Sequence, residues 1–202
     1  MPTVVKETLP APPPLRKRWT RAECDALIAN GLLDDPDHLE LIEGDLVRKM
    51  PKRPPHTNVP MAVLLWLQDA FGRELVVPER TIDVAPQDNP TSAAEPDIVV
   101  LARSWREFQV YPQPSDLRLV VEISDSTVAF DRSTKASLYA RAAIAEYWVA
   151  DIPGRRLIVH RDPRDGAYHS VIAYNEGESV TPLAAPLSAL PVTEAFSGVP
   201  RQ

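Results

Sequence analysis

Cysteine is almost missing from this chain: Cys24 is the only one in 202 residues. No disulfide can form within the chain, and no cysteine-based zinc cage can be built. Glycine is scarce too, with seven copies, and none of them falls into G-x-G-x-x-G, a P-loop or G-x-S-x-G. The dinucleotide-binding, nucleotide-triphosphate and elbow-serine hydrolase classes therefore have no support. No apolar run approaches the roughly 20 residues that span a bilayer, and the N-terminus lacks the charged-then-apolar pattern of a signal peptide. These absences predict a soluble, cytoplasmic protein with no membrane partner. Positive charge is not in excess either. Twenty-two Lys and Arg against 28 Asp and Glu give a net charge of −6, which argues against coating nucleic acid by bulk attraction, so any contact with phosphates must be local. His38, His160 and His169 show no ligand spacing, and there is no internal repeat.

What is present is the composition of one folded domain, with 44% hydrophobic and 25% charged residues. Residues 1–18 carry Pro2, Pro10, Pro12, Pro13 and Pro14 and then Arg16, Lys17 and Arg18, a composition that predicts a flexible arm. A single domain is expected over 19–196, followed by a tail at 197–202. Thr20 and Glu23 have the spacing of a capping box, which predicts a helix ending at Gly31. Residues 39–43 and 45–50 flank Gly44 and predict a hairpin. Met61, Leu64, Leu65, Gln68 and Phe71 predict a helix over 57–71 with Gly72 as its stop. Residues 75–77 and 81–84 read as strands. The β-branched runs 98–101 and 117–123 read as central strands buried on both faces. A helix over 131–143 leading into a strand at 146–150 predicts a βαβ crossover, and 156–160 with 168–174 predict an antiparallel meander at the C-terminus. The expected class is α/β with a mixed sheet.

Glu122 is the most informative residue. A carboxylate inside the run 119–123 loses its hydration at a cost of several kcal/mol unless a partner compensates it. Alternation puts Val120, Glu122 and Ser124 on one face and Leu119, Val121 and Ile123 on the other. Asp97 follows Pro96 at the mouth of another apolar strand, where a fixed backbone can aim it into a cleft. Asp131 and Lys135 are four apart on one helix face, and Lys135 can reach back over the strand end. Arg48, Lys49, Lys52 and Arg53, followed by His56, give residues 47–56 a local charge of +4, a candidate place for a phosphate backbone. The arm at Arg16–Arg18 could add a second contact.

The order Pro96-Asp97, Glu122-Ile123-Ser124, Asp131-Arg-Ser-Thr-Lys135 resembles the PD-(D/E)xK restriction-endonuclease-like superfamily, and within it the Uma2 branch. Glu40-Leu41-Ile42-Glu43-Gly44, His56 before the long helix, and Glu146-Tyr147-Trp148 with Asp151 resemble further elements of that branch, so the likeness extends over about residues 19–196. Ser124 stands where the superfamily signature has lysine; in the Uma2 branch the lysine sits in the following helix, the position of Lys135. The resemblance implies a metal-dependent endonuclease acting on DNA, with Mg²⁺ or Mn²⁺ held by Asp97, Glu122, the Ile123 carbonyl and Glu40. It implies that Lys135 orients the attacking water or neutralises phosphate charge, that His56 serves as acid, base or phosphate contact, and that the protein pairs as a homodimer.

Two other readings stand beside it. One is a catalytically inactive module that binds nucleic acid or protein on the same fold. The other is a structural subunit in which Glu122 and Lys135 form a closed ion pair. Asp131 reads as a charge complementing the helix dipole, and Cys24, Trp66, Tyr139, Tyr147 and Trp148 read as core.

Overall fold

The structure is a computed structural model that describes residues 16–33, 38–49 and 58–198. It opens with α1 (Arg21–Ala29), whose N-cap Thr20 forms the expected capping box with Glu23. A hairpin follows, β1 (Leu39–Ile42) against β2 (Asp45–Arg48). Its two-residue turn has Glu43 at φ 49° and Gly44 at φ 83°, the doubly left-handed geometry that matches strand twist. A Cβ on Gly44 would lie 2.9 Å from the Arg18 Cβ, so glycine is required there for space as well as for φ. Next come α2 (Asn58–Phe71), β3 (Val76–Pro78), β4 (Ile98–Leu101) and β5 (Leu117–Ser124). A short α3 (Val128–Phe130) widens into a π-helical turn (Asp131–Lys135) and continues as α4 (Ala136–Arg141). The chain then forms β6 (Glu146–Asp151), β7 (Arg156–Arg164), β8 (Ala167–Asn175), the two-residue strands β9 (Ser179–Val180) and β10 (Leu190–Pro191), and α5 (Val192–Ala195).

Six of these strands make one mixed sheet in the order β3-β4-β5-β6-β7-β8. β5 and β6 pair in parallel, with Glu122 opposite Val149, and every other pairing in this sheet is antiparallel. The helical segment 128–141 is thus the crossover of a βαβ unit, and the C-terminal meander is the antiparallel continuation beyond it, as the sequence predicts. One sheet face packs Val121, Trp148 and Val159 against Val59, Val63 and Leu67 of α2 and Phe196. The opposite face packs Val120, Val149 and Ile158 against Leu138, Tyr139 and Ala142. Three layers result, with the central strands β4, β5 and β6 covered on both sides.

One sequence reading is corrected. Residues 81–84 do not form a strand: their ladder is a single bridge, Ile82 to Ala94. Asp83 N donates instead to the Pro112 carbonyl and Val84 N to the Asn89 side chain, so the backbone groups are satisfied by loops. In α2 the buried stripe is Val59, Val63 and Leu67, whereas Met61 and Leu65 are exposed. That helix is apolar on most of its surface, so spacing alone does not select the face, and the slim valines seat it close to the sheet. Tyr139, Tyr147, Trp148 and Cys24 are buried, as predicted. No helix among the described residues is long and apolar enough to cross a membrane.

His160 in β7 is 3% exposed, and its Nδ1 has no hydrogen-bond partner among the described residues. Its ring lies 5.1 Å from Tyr147 and 5.6 Å from Tyr168. Burial pushes its pKa down from 6.5 to about 4. The unfolded chain therefore takes up a proton between these values that the folded chain refuses. The stabilisation is full above pH 6.5 and is lost as pH falls toward 4. His160→Phe should flatten the acid limb of a urea-unfolding pH profile by on the order of 3 kcal/mol. A variant with the wild-type slope across that window would contradict this assignment.

Candidate active site

β5 carries Glu122 into the middle of the molecule and stops at Ser124. Ser124 O accepts from Ile152 N on the β6 side. By strand alternation Ile123 turns its N–H and C=O the other way, toward β4. Pairing with β4 ends at Ile98 opposite Val121, so Asp97, one residue before, stands beside Glu122. Its Oδ2 accepts from Ile123 N at 2.7 Å. Asp97 is half-buried and Glu122 is buried.

Glu40 arrives from the hairpin. Leu41 bridges Ala93, which stitches β1 to the segment leading into β4, and Glu40 Oε1 accepts from Glu95 N at 2.8 Å. The same segment holds Lys49, which pairs with the Glu95 carboxylate at 2.9 Å and donates to its carbonyl at 3.1 Å. The basic run thus begins next to the acidic site, with Arg48 exposed. Lys52, Arg53 and His56 lie outside the described residues. In the predicted arm, Arg18 donates to Asp45 and to the Glu43 carbonyl.

Lys135 closes the group from the crossover helix. Its Nζ is 2.8 Å from Glu40 Oε2, 2.9 Å from Glu122 Oε1 and 4.0 Å from Asp131 Oδ1. Residues four apart on an α-helix drift by about 40° per step. The wide π turn at Asp131–Lys135 takes up that drift, so Asp131, Lys135 and Tyr139 all face the sheet and all are buried. Tyr139 OH donates to Glu122 Oε1 at 2.9 Å. Asp131 Oδ2 accepts from Ser124 Oγ at 2.7 Å and Thr127 Oγ1 at 2.6 Å. Asp131, expected to complement the helix dipole, is instead a buried member of the cluster, and Tyr139 is core as expected but also brings its hydroxyl to Glu122. The signal that could have found them is the spacing Asp131-x-x-x-Lys135-x-x-x-Tyr139.

The electrostatics follow from one ammonium serving three acids, Glu40, Glu122 and Asp131, with Asp97 beside Glu122. Burial raises the Glu122 pKa to about 8, opposed by Lys135 and reinforced by Glu40, Asp97 and Asp131. For Lys135, burial favours loss of the proton, but Glu122, Glu40 and Asp131 outweigh it and hold the pKa well above that of a free lysine. The cluster keeps its ammonium and still has negative charge to spare.

That surplus tests the fit of a metal. Among the described residues no three His, Cys, Asp or Glu side chains form a ready-made cage. A hard cation such as Mg²⁺ is commonly held by one or two carboxylates and retained waters, and every donor here is oxygen. Among the described residues, Lys135 Nζ and Tyr139 OH both donate to Glu122 Oε1 and no donor reaches Oε2. The residues fit a hard divalent cation.

Glu146 and Asp151, also part of the sequence likeness, are saturated. Glu146 Oε1 accepts from Trp148 Nε1 and Arg161, and its Oε2 from Leu183 N. Asp151 accepts from Arg156 and Gly154 N. They brace β6 and take no part in the cluster.

A six-stranded mixed sheet, flanked by helices and carrying acids where two central strands part, defines a restriction-endonuclease-like fold. It is similar to the crystal structure of a putative nuclease belonging to DUF820 from Anabaena variabilis, with a TM-score of 0.65 and 15% identity, covering 87% of this chain and 97% of that one. The model of the Uma2 family, described as putative restriction endonuclease, matches residues 24–193, and the chain belongs to that family. Membership supports nuclease chemistry on a nucleic-acid substrate, and restriction-endonuclease-like families generally use divalent metals. No curated protein matches the chain.

Removing the ammonium should expose the strain of the acids. Lys135→Met should destabilise the protein by about 3–5 kcal/mol in urea unfolding at neutral pH, because buried carboxylates lose their cation. Adding Glu122→Gln should recover part of that loss. A Lys135→Met protein as stable as the wild type would contradict the buried placement of the ammonium.

Proposed function

We propose that this chain is a metal-dependent endonuclease that hydrolyses phosphodiester bonds of DNA. The observation that carries the reading is the meeting of Asp97, Glu122 and Glu40 with Lys135 at the point where β4 and β5 part. Asp97, Glu122 and the Ile123 carbonyl are the residues that would hold Mg²⁺ or Mn²⁺, with Glu40 beside them. A cation bound there supplies Lewis-acid polarisation of a phosphodiester oxygen and lowers the pKa of an attacking water. Lys135, kept protonated by its neighbours, neutralises charge that builds on the phosphate or orients the water. Asp97 is tied to the Ile123 amide, so the backbone of β5 sets the position of both candidate ligands. Arg48, Lys49, Lys52 and Arg53 are the proposed contacts to the phosphate backbone, and His56 an auxiliary acid, base or phosphate contact.

The test is cleavage of supercoiled plasmid and of single- and double-stranded DNA and RNA oligonucleotides with Mg²⁺ or Mn²⁺. The wild type should cut DNA only with metal, and Asp97→Ala or Glu122→Ala should lower the rate at least 100-fold in proteins that remain folded. Metal-independent cutting, or full activity in both variants, would refute the assignment. Absence of cutting together with absence of metal binding would favour a binding module on the nuclease fold.

A further inference from the structure

Tyr139 is 0% exposed, packed in the same apolar cluster as Leu138, Ala142, Val120 and Val149. For packing alone a phenylalanine would serve there, and a buried hydroxyl without a partner would be a liability. This hydroxyl instead reaches a carboxylate oxygen already held by an ammonium: Tyr139 OH and Lys135 Nζ both donate to Glu122 Oε1, each at 2.9 Å. The two donors differ in stiffness. Lys135 hangs on a four-carbon stem and divides its protons between Glu122 and Glu40. Tyr139 is a rigid ring fixed edge-on against Tyr147, with centroids 5.0 Å apart at 69°. With Oε1 held from two directions, rotation of the carboxylate is restricted.

We infer that Tyr139 is a positioning residue that locks Glu122 through Oε1, so that Oε2 is presented to the cation. Saturated Glu146 shows the alternative arrangement, in which donors occupy both oxygens and nothing remains for a ligand. The inference rests on the metal-dependent reading above and adds to it the residue that preorganises one ligand. Hydrogen-bonded partners of ligating groups typically tune metal affinity 10–100-fold when removed.

The experiment is calorimetric titration of Mn²⁺ into wild type, Tyr139→Phe, Tyr168→Phe and Glu122→Ala, with thermal melts to establish that each is folded. Tyr168→Phe is the control: its hydroxyl also makes a hydrogen bond, half-buried and to the Ile144 carbonyl at 2.8 Å, away from the acids. Tyr139→Phe should bind Mn²⁺ at least about 10-fold more weakly than wild type, whereas Tyr168→Phe should bind as wild type even if its melting temperature falls. Equal affinity in Tyr139→Phe and wild type, with Glu122→Ala abolishing binding, would overturn the role of Tyr139 and leave the function intact. Equal weakening in both tyrosine variants would also overturn it, as general loosening of the core. A wild type that binds no Mn²⁺ would overturn the functional reading and this inference together.

Discussion

A charged ammonium buried between Glu40 and Glu122 is the constraint around which the rest is arranged. A lysine at 5% exposure is tolerable only if acids reach it, and here each comes from a different part of the chain. Glu40 is delivered by a hairpin whose turn needs a glycine, Glu122 by the central strand β5, and Lys135 by the crossover helix. The parallel pairing of β5 with β6 requires that crossover, and the crossover returns the helix over the end of β5. The π turn then rotates Lys135 and Tyr139 onto the stripe begun by Asp131. Topology and electrostatics are two descriptions of one requirement.

The site differs from an ordinary buried ion pair in its balance. Glu146 is as buried as Glu122, yet Arg161, Trp148 and Leu183 satisfy both its oxygens, so it braces the sheet. Around Lys135 the acids outnumber the cation, and burial raises the Glu122 pKa against the opposing pull of that ammonium. The proposed divalent cation would answer that shortage of positive charge, since every donor here is oxygen and hard cations prefer oxygen. Structural cohesion and candidate chemistry therefore draw on the same charges.

Much of this was legible before any coordinates. Alternation along 119–124 placed Glu122 and Ser124 on one face, opposite Leu119 and Val121, and the two core clusters bear that out. Thr20 with Glu23, and Gly44 in its turn, marked a cap and a hairpin through local chemistry that needs no tertiary knowledge. What failed was whatever depended on distant partners. The segment 81–84 has strand composition, but its amides are taken by Pro112 and Asn89. Tyr139 read as core, which it is; its hydroxyl's partner lies 17 positions away on another element, beyond the reach of periodicity.

The central claim is that these acids and Lys135 enclose a place for a divalent cation. It is tested most directly by anomalous diffraction from crystals of the protein grown or soaked with Mn²⁺. The account predicts one strong manganese peak within bonding distance of Asp97 and Glu122 Oε2, with Lys135 still paired to Oε1. A peak elsewhere, or none at Mn²⁺ concentrations that support cleavage, would contradict it.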